Sequence, residues 1–143
     1  KERSGGEAGA ACEGGGGFAC MGVMDVWVVV AQAFMRLGRH NDAMACIGLM
    51  RSLAPSAPAL LCLEATVEEA GGSTDRALAL LQQALAMDAA HAPALLAAGR
   101  MHLAAGRCDV ALHFLASCLR ASPLLHGAWL HMGLAHKALG DAE

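Results

Sequence analysis

Six cysteines and seven histidines are the residues of this 143-residue chain best equipped for chemistry. The thiols stand at positions 12, 20, 46, 62, 108 and 118, and no two of them form a CxxC pair. A structural zinc site uses such close pairs because two ligands on one turn preorganise half of its tetrahedron. His126, His131 and His136 recur every fifth residue, a spacing that walks around a helix and does not align one face. The cysteines are therefore expected to act as small buried hydrophobes in a reducing compartment, with no metal and no cofactor. Glu64, Glu68 and Glu69 form the densest acidic cluster. An acid–base pair needs carboxyls opposed across a cleft, whereas Glu64 and Glu68 are like charges at i and i+4, so a solvated face is expected. None of the six serines lies in a nucleophile elbow, and the run Gly14 to Gly17 lacks the following Lys-Ser/Thr of a phosphate cradle. No catalytic residue is expected, and the chain reads as non-enzymatic.

The elements that position these residues follow from composition and pattern. A chain that is 56% hydrophobic and 16% charged can bury a real core, which excludes wholesale disorder. A net charge of −3 argues against a nucleic-acid partner, which usually meets a basic face. Asp25 and Gln32 interrupt the longest apolar run, so no membrane span is expected. A chain that opens on Lys1 reads as a piece of a longer protein. Residues 1–22 carry eight glycines, and such a stretch has too little apolar surface to offset the entropy of ordering; a flexible linker or loop is expected there.

From Val23 onward the sequence repeats. Gly38, Gly72, Gly106 and Gly140 are each 34 residues apart, as are Ala43, Ala77 and Ala111. Trp27, Leu61, Leu95 and Trp129 keep the same interval, and Pro55 and Pro123 differ by twice that interval. Each period holds two helical patterns. In the first, Asp25 is placed to cap a helix running to about Leu37, Gly38 to end it, and Asn41 or Asp42 to start a second helix that Pro55 stops. The same reading gives helices from about Pro58 to Gly71, Thr74 to Met87, Ala92 to Ala105, Cys108 to Ala121, and His126 to Leu139. Ala31, Ala65, Gly99 and Gly133 share one repeat position, where a large side chain would hold two helix axes apart. The predicted organisation is four repeats over about 24–57, 58–91, 92–125 and a truncated 126–143.

These columns resemble the tetratricopeptide repeat (TPR). Trp27, Ala31, Phe34, Gly38, Ala43, Ile47 and Pro55 match in the first unit, with Met50 in place of the usual small residue. Leu95, Gly99, Gly106, Ala111, Leu115 and Pro123 match in the third, with His102 in the aromatic slot. Trp129, Gly133 and Gly140 match in the fourth, with His136 in that slot. The resemblance covers residues 24–143 and implies an all-α fold. That fold is a right-handed TPR superhelix, an α-solenoid of antiparallel helix pairs with three full repeats and the first helix of a fourth. The stretches DVWVVVAQAFMRLGRHNDAMACI, GGSTDRALALLQQALAMDAAHAP and HGAWLHMGLAHKALGDAE further resemble the carboxy-terminal repeats of the tetratricopeptide repeat protein 7 family. They also resemble its plant relatives, the no-pollen-germination-related calmodulin-binding proteins. This narrower resemblance implies a non-catalytic adaptor subunit of the plasma-membrane phosphatidylinositol 4-kinase complex, with a lipid kinase and a hyccin-type subunit as partners. It implies a cytoplasmic location, with recruitment to the plasma membrane through those partners.

In such arrays the first helix of each pair lines a concave surface, and the resemblance places the outward residues there. The partner-binding candidates are Val28, Gln32, Met35 and Arg36, then Thr66 and Glu69, then Arg100 and Leu103, and finally Lys137. Asp25, Cys62, Leu96, Leu130 and Leu134 fall at neighbouring outward positions. Arg36, Glu69, Arg100 and Lys137 are expected as isolated charges in a partly apolar groove suited to an amphipathic helix or extended segment. A basic-and-Asn clamp for a terminal carboxylate is absent at Val28 and Gln32, which disfavours chaperone tails. Calmodulin would need a basic amphipathic helix, and the closest stretch, Arg100 to Arg120, holds only three arginines and one Asp, with His102 and His113 as weak additions, a poor match. A regulatory segment of a larger enzyme is the alternative class of function. The incomplete fourth repeat leaves an apolar face through which the chain is expected to homodimerise.

Overall fold

The computed structural model describes residues 22–142, and every regular element among them is a helix. The elements are α1 (Val23–Arg36), α2 (His40–Leu53), α3 (Pro58–Ala70), α4 (Thr74–Met87), α5 (Ala92–Ala104), α6 (Cys108–Ala121) and α7 (His126–Ala142). Each helix packs on the next, and α1, α3, α5 and α7 also pack successively on one another. The result is three helical hairpins followed by a seventh helix, stacked as an all-α solenoid. The glycine-rich segment expected to be a linker lies, apart from Gly22, outside the described residues.

The period of the sequence reappears in the backbone. Gly38, Gly72 and Gly106 take φ values of +73°, +87° and +77°, a left-handed conformation that costs a residue without Cβ little. At each, the glycine N–H bonds back three residues, to Met35, Glu69 and Leu103, and the next residue bonds back five, to Phe34, Glu68 and His102. This is the Schellman closure, formed three times over, and it turns the first helix of each pair into the second. Gly140 differs from the expectation: α7 runs through it to Ala142, and Gly140 does not take the positive φ of its three counterparts.

Helix starts also differ in detail. Asp25 is not the cap of α1 but stands three residues in, where its Oδ2 accepts the Gly22 N–H at 2.9 Å. A carboxylate there still faces the positive end of the helix. Helix α2 opens at His40, ahead of Asn41, and Asp42 accepts a 2.6 Å bond from Arg39 Nε. Pro58 and Pro93 sit in the first turns of α3 and α5, where a missing N–H costs nothing.

The core is built from repeat columns. Ile47, Leu81 and Leu115 are fully buried at one position, each worth about 1.5–3 kcal/mol on the scale of side-chain burial. Met50, Ala84 and Cys118 are fully buried at another, and the Cys118 thiol donates to Ala92 O at 3.4 Å, a packing role as expected. Gly99 makes the closest approach: a Cβ there would stand 2.8 Å from Leu115 Cγ. Gly133, at the same repeat position, meets nothing within 4 Å, since no α6-like helix covers it. In the aromatic slot of the third unit, His102 stacks on Phe114 with centroids 5.3 Å apart.

Candidate partner-binding groove

Stacking the first helices side by side leaves a groove along α1, α3 and α5. Two adjoining depressions make it up. The narrower, about 340 Å³, has an apolar wall of Val28, Cys62, Leu96 and Ala97, with Asp25 and His91 also in its lining. The wider, about 850 Å³, is bordered by Met35, Arg36, His40 and Glu69. Gln32, Thr66, Leu96 and Arg100 belong to both, so the two form one continuous surface.

Of the nine residues expected to meet a partner, seven are brought together here: Val28, Gln32, Met35, Arg36, Thr66, Glu69 and Arg100. Leu103 is half-buried and Lys137 exposed, and neither is in the lining of the two depressions. His40 and His91 are additions that the helical pattern did not suggest. Each stands at a helix start, where the chain enters from a turn, and a face count made on the first helices alone passes over such positions.

Two of the four charges expected to be isolated, Glu69 and Arg100, are instead paired with each other. Arg100 Nη1 and Nη2 donate to Glu69 Oε1 and Oε2 at 2.7 and 2.5 Å, a bidentate bridge between the second and third units. The neighbouring glutamates are no freely solvated face either. Arg51 of α2 donates to Glu64 through Nε at 3.1 Å and also through Nη2, and Arg76 of α4 lies 3.5 Å from Glu68. The three acids of α3 thus meet arginines from three different helices, which relieves the repulsion between like charges on one face.

The Cys62 thiol is walled in, and burial pushes its pKa up to about 12. It stays protonated at neutral pH and serves as apolar wall, without the thiolate character of a nucleophile. Thr66 Oγ1 donates to Cys62 O at 2.8 Å, which commits its hydroxyl proton to the helix. His91 Nδ1 lies 3.6 Å from Asp88 Oδ2, and its buried Nε2 has no hydrogen-bond partner among the described residues. Among the described residues no three His, Cys, Asp or Glu side chains converge on a metal position, and no helix is long and apolar enough to cross a membrane. What this arrangement offers a ligand is an apolar floor with a polar, partly basic border.

No family profile matches the chain. Protein NPGR2 of Arabidopsis thaliana is 28% identical over 123 residues, covering 84% of this chain and 17% of that protein. Tetratricopeptide repeat protein 7B of Homo sapiens is 23% identical over 121 residues, covering 85% and 14%. The chain therefore spans about a sixth or less of the length of the curated relatives it matches. Among solved structures, Pseudomonas aeruginosa pilF superposes with a TM-score of 0.72 at 18% identity, over 82% of this chain and 54% of that one. The first TPR of Spaghetti (RPAP3), bound to the HSP90 peptide SRMEEVD, superposes with a TM-score of 0.69 at 17% identity, over 82% and 95%. With its period, its repeated Schellman turns and these likenesses, the chain is a tetratricopeptide-repeat solenoid that resembles protein NPGR2 and tetratricopeptide repeat protein 7B.

Proposed function

We propose that this chain is part of a non-catalytic protein-interaction scaffold whose concave groove holds a segment of a protein partner. The observation that carries this reading is the continuity of the two depressions across three successive units, with apolar anchors in one and charges around the other. A rigid array presents such a surface without rearrangement, so little ordering cost opposes binding. Similarity to tetratricopeptide repeat protein 7B supports a finer reading: an adaptor of the plasma-membrane phosphatidylinositol 4-kinase complex. In that reading the parent protein is cytoplasmic and reaches the membrane through the lipid kinase and a hyccin-type subunit. Leu103 and Lys137 extend the contact beyond the groove proper. The exposed apolar side chains of α7 provide a second surface, on which another copy of the chain docks.

Co-expression of the chain with a hyccin-type subunit and a phosphatidylinositol 4-kinase, followed by size-exclusion chromatography, tests the finer reading. Co-elution of either with the chain is expected. Elution of all three as separate species, with the chain folded by circular dichroism, contradicts the adaptor assignment for this segment.

A further inference from the structure

The wider end of the groove has more basic than acidic side chains, yet its central cation is already taken. Arg36, His40 and Arg100 border it, and Glu69 is the one acid among the described residues of that lining. Arg100 sits where the two depressions meet. Both arms of its guanidinium go to the two oxygens of Glu69, at 2.7 and 2.5 Å. The two side chains come from successive units and are each partly buried, at 39% and 26% exposure. A fork-to-fork pair is the geometry in which an arginine takes the carboxylate of a ligand. Glu69 thus fills, from within the chain, the place an incoming carboxylate would take. An acidic partner group must displace Glu69 and would then lie beside it as a like charge, which acts against that class of partner.

We infer that Glu69 is a selectivity determinant of the groove: by holding Arg100, it turns the groove away from carboxylate-bearing segments and toward segments that present uncharged, apolar side chains at that point. The inference rests on the reading of the groove as a partner site and names the partner's chemistry. Val28, Cys62, Leu96 and Ala97 beside Arg100 supply the apolar complement, so the ion pair acts by exclusion and the wall by attraction.

The test uses the full chain and two fluorescent peptides in an anisotropy titration. One is the acidic SRMEEVD; the other is its carboxylate-free counterpart SRMQQVN with an amidated end. The wild-type chain is expected to bind the acidic peptide no more tightly than its carboxylate-free counterpart. Glu69→Gln, with Glu69→Ala as a second variant, is expected to bind SRMEEVD at least about tenfold more tightly than wild type does, with no gain for the carboxylate-free peptide. Adding Arg100→Gln to either variant should abolish that gain. A wild-type preference for the acidic peptide of about threefold or more overturns the inference without recourse to any variant. So does a folded Glu69 variant that gains nothing. Neither of these results bears on whether the groove holds the natural partner, which capture with groove variants decides.

Discussion

At the scale of single residues, two glycines at one repeat position separate close packing from open space. A methyl group on Gly99 would press on Leu115, which is fully buried and has nowhere to move. Overpacking of this kind costs about 1–3 kcal/mol, which outweighs the gain of about 1 kcal/mol from replacing a helical glycine by alanine. Gly133→Ala meets no neighbour and keeps that gain, so urea denaturation should show Gly99→Ala less stable than wild type and Gly133→Ala more stable by about 0.5–1 kcal/mol. His102 makes a second residue-scale prediction. Burial, and secondarily the nearby Arg107 charge, hold its pKa below the ordinary 6.5. The unfolded chain therefore binds the proton more readily, and stability falls as pH drops through 6.5 toward the lowered folded value. His102→Phe keeps the stack on Phe114 and removes a buried nitrogen that lacks a partner. The denaturation midpoint of this variant should lose less than that of wild type between pH 7.5 and pH 5.5. The small-residue columns were legible in the sequence because they repeat. The Glu–Arg pairs were not, since Arg51, Arg76 and Arg100 occupy no common repeat position and their partners come from other helices.

At the scale of the element, the sequence showed most of the helices because each one is bounded by a residue with a physical reason to be there. Thr74 to Met87 and Cys108 to Ala121 coincide with α4 and α6. Errors arose where a boundary depended on a neighbour. Asp25 looked like a cap because it precedes an apolar run, but the backbone already turns at Gly22. Gly140 reads as a stop because its counterparts are stops, yet the helix continues through it to Ala142 without their positive φ. The turns themselves are open to test. Gly72 holds φ at +87° in the middle of the array, and a side chain there is strained by about 1–2 kcal/mol. Gly72→Ala should lower stability by that amount in chemical denaturation, although no atom lies within 4 Å of the added methyl. A loss well under 0.5 kcal/mol would mean that the turn is less demanding than its geometry implies.

At the scale of the whole molecule, stability belongs to the interfaces between units. Leu60, Ala94 and Ala128 occupy one repeat position and are all buried against the unit before them, whereas their counterpart Val26 in the first unit is 49% exposed. At the other end, Trp129, Leu130 and Leu134 stand 57%, 62% and 46% exposed on α7. Trp129→Glu, on the face left open by the incomplete fourth repeat, should reduce concentration-dependent self-association in sedimentation velocity. An unchanged profile would remove α7 as the dimer surface. The groove is likewise a property of the stack, since no single hairpin contains it. Its apolar wall was legible once the period assigned a face to each first helix, while its central ion pair required two units to be seen together.

The proposal that this concave face holds the partner is tested by capture with paired variants. Gln32 is exposed in the groove and Gln83 is exposed in a cleft between α2, α3 and α4, so a tryptophan at either fills its depression without entering the core. Immobilised wild-type, Gln32→Trp and Gln83→Trp chains are exposed to one lysate, and recovery of the hyccin-type subunit and the lipid kinase is quantified by mass spectrometry. Recovery by the wild-type and Gln83→Trp chains, with at least about a tenfold loss for Gln32→Trp, is the predicted result. Undiminished recovery by Gln32→Trp would contradict binding in the groove and place the partner on another face of the solenoid.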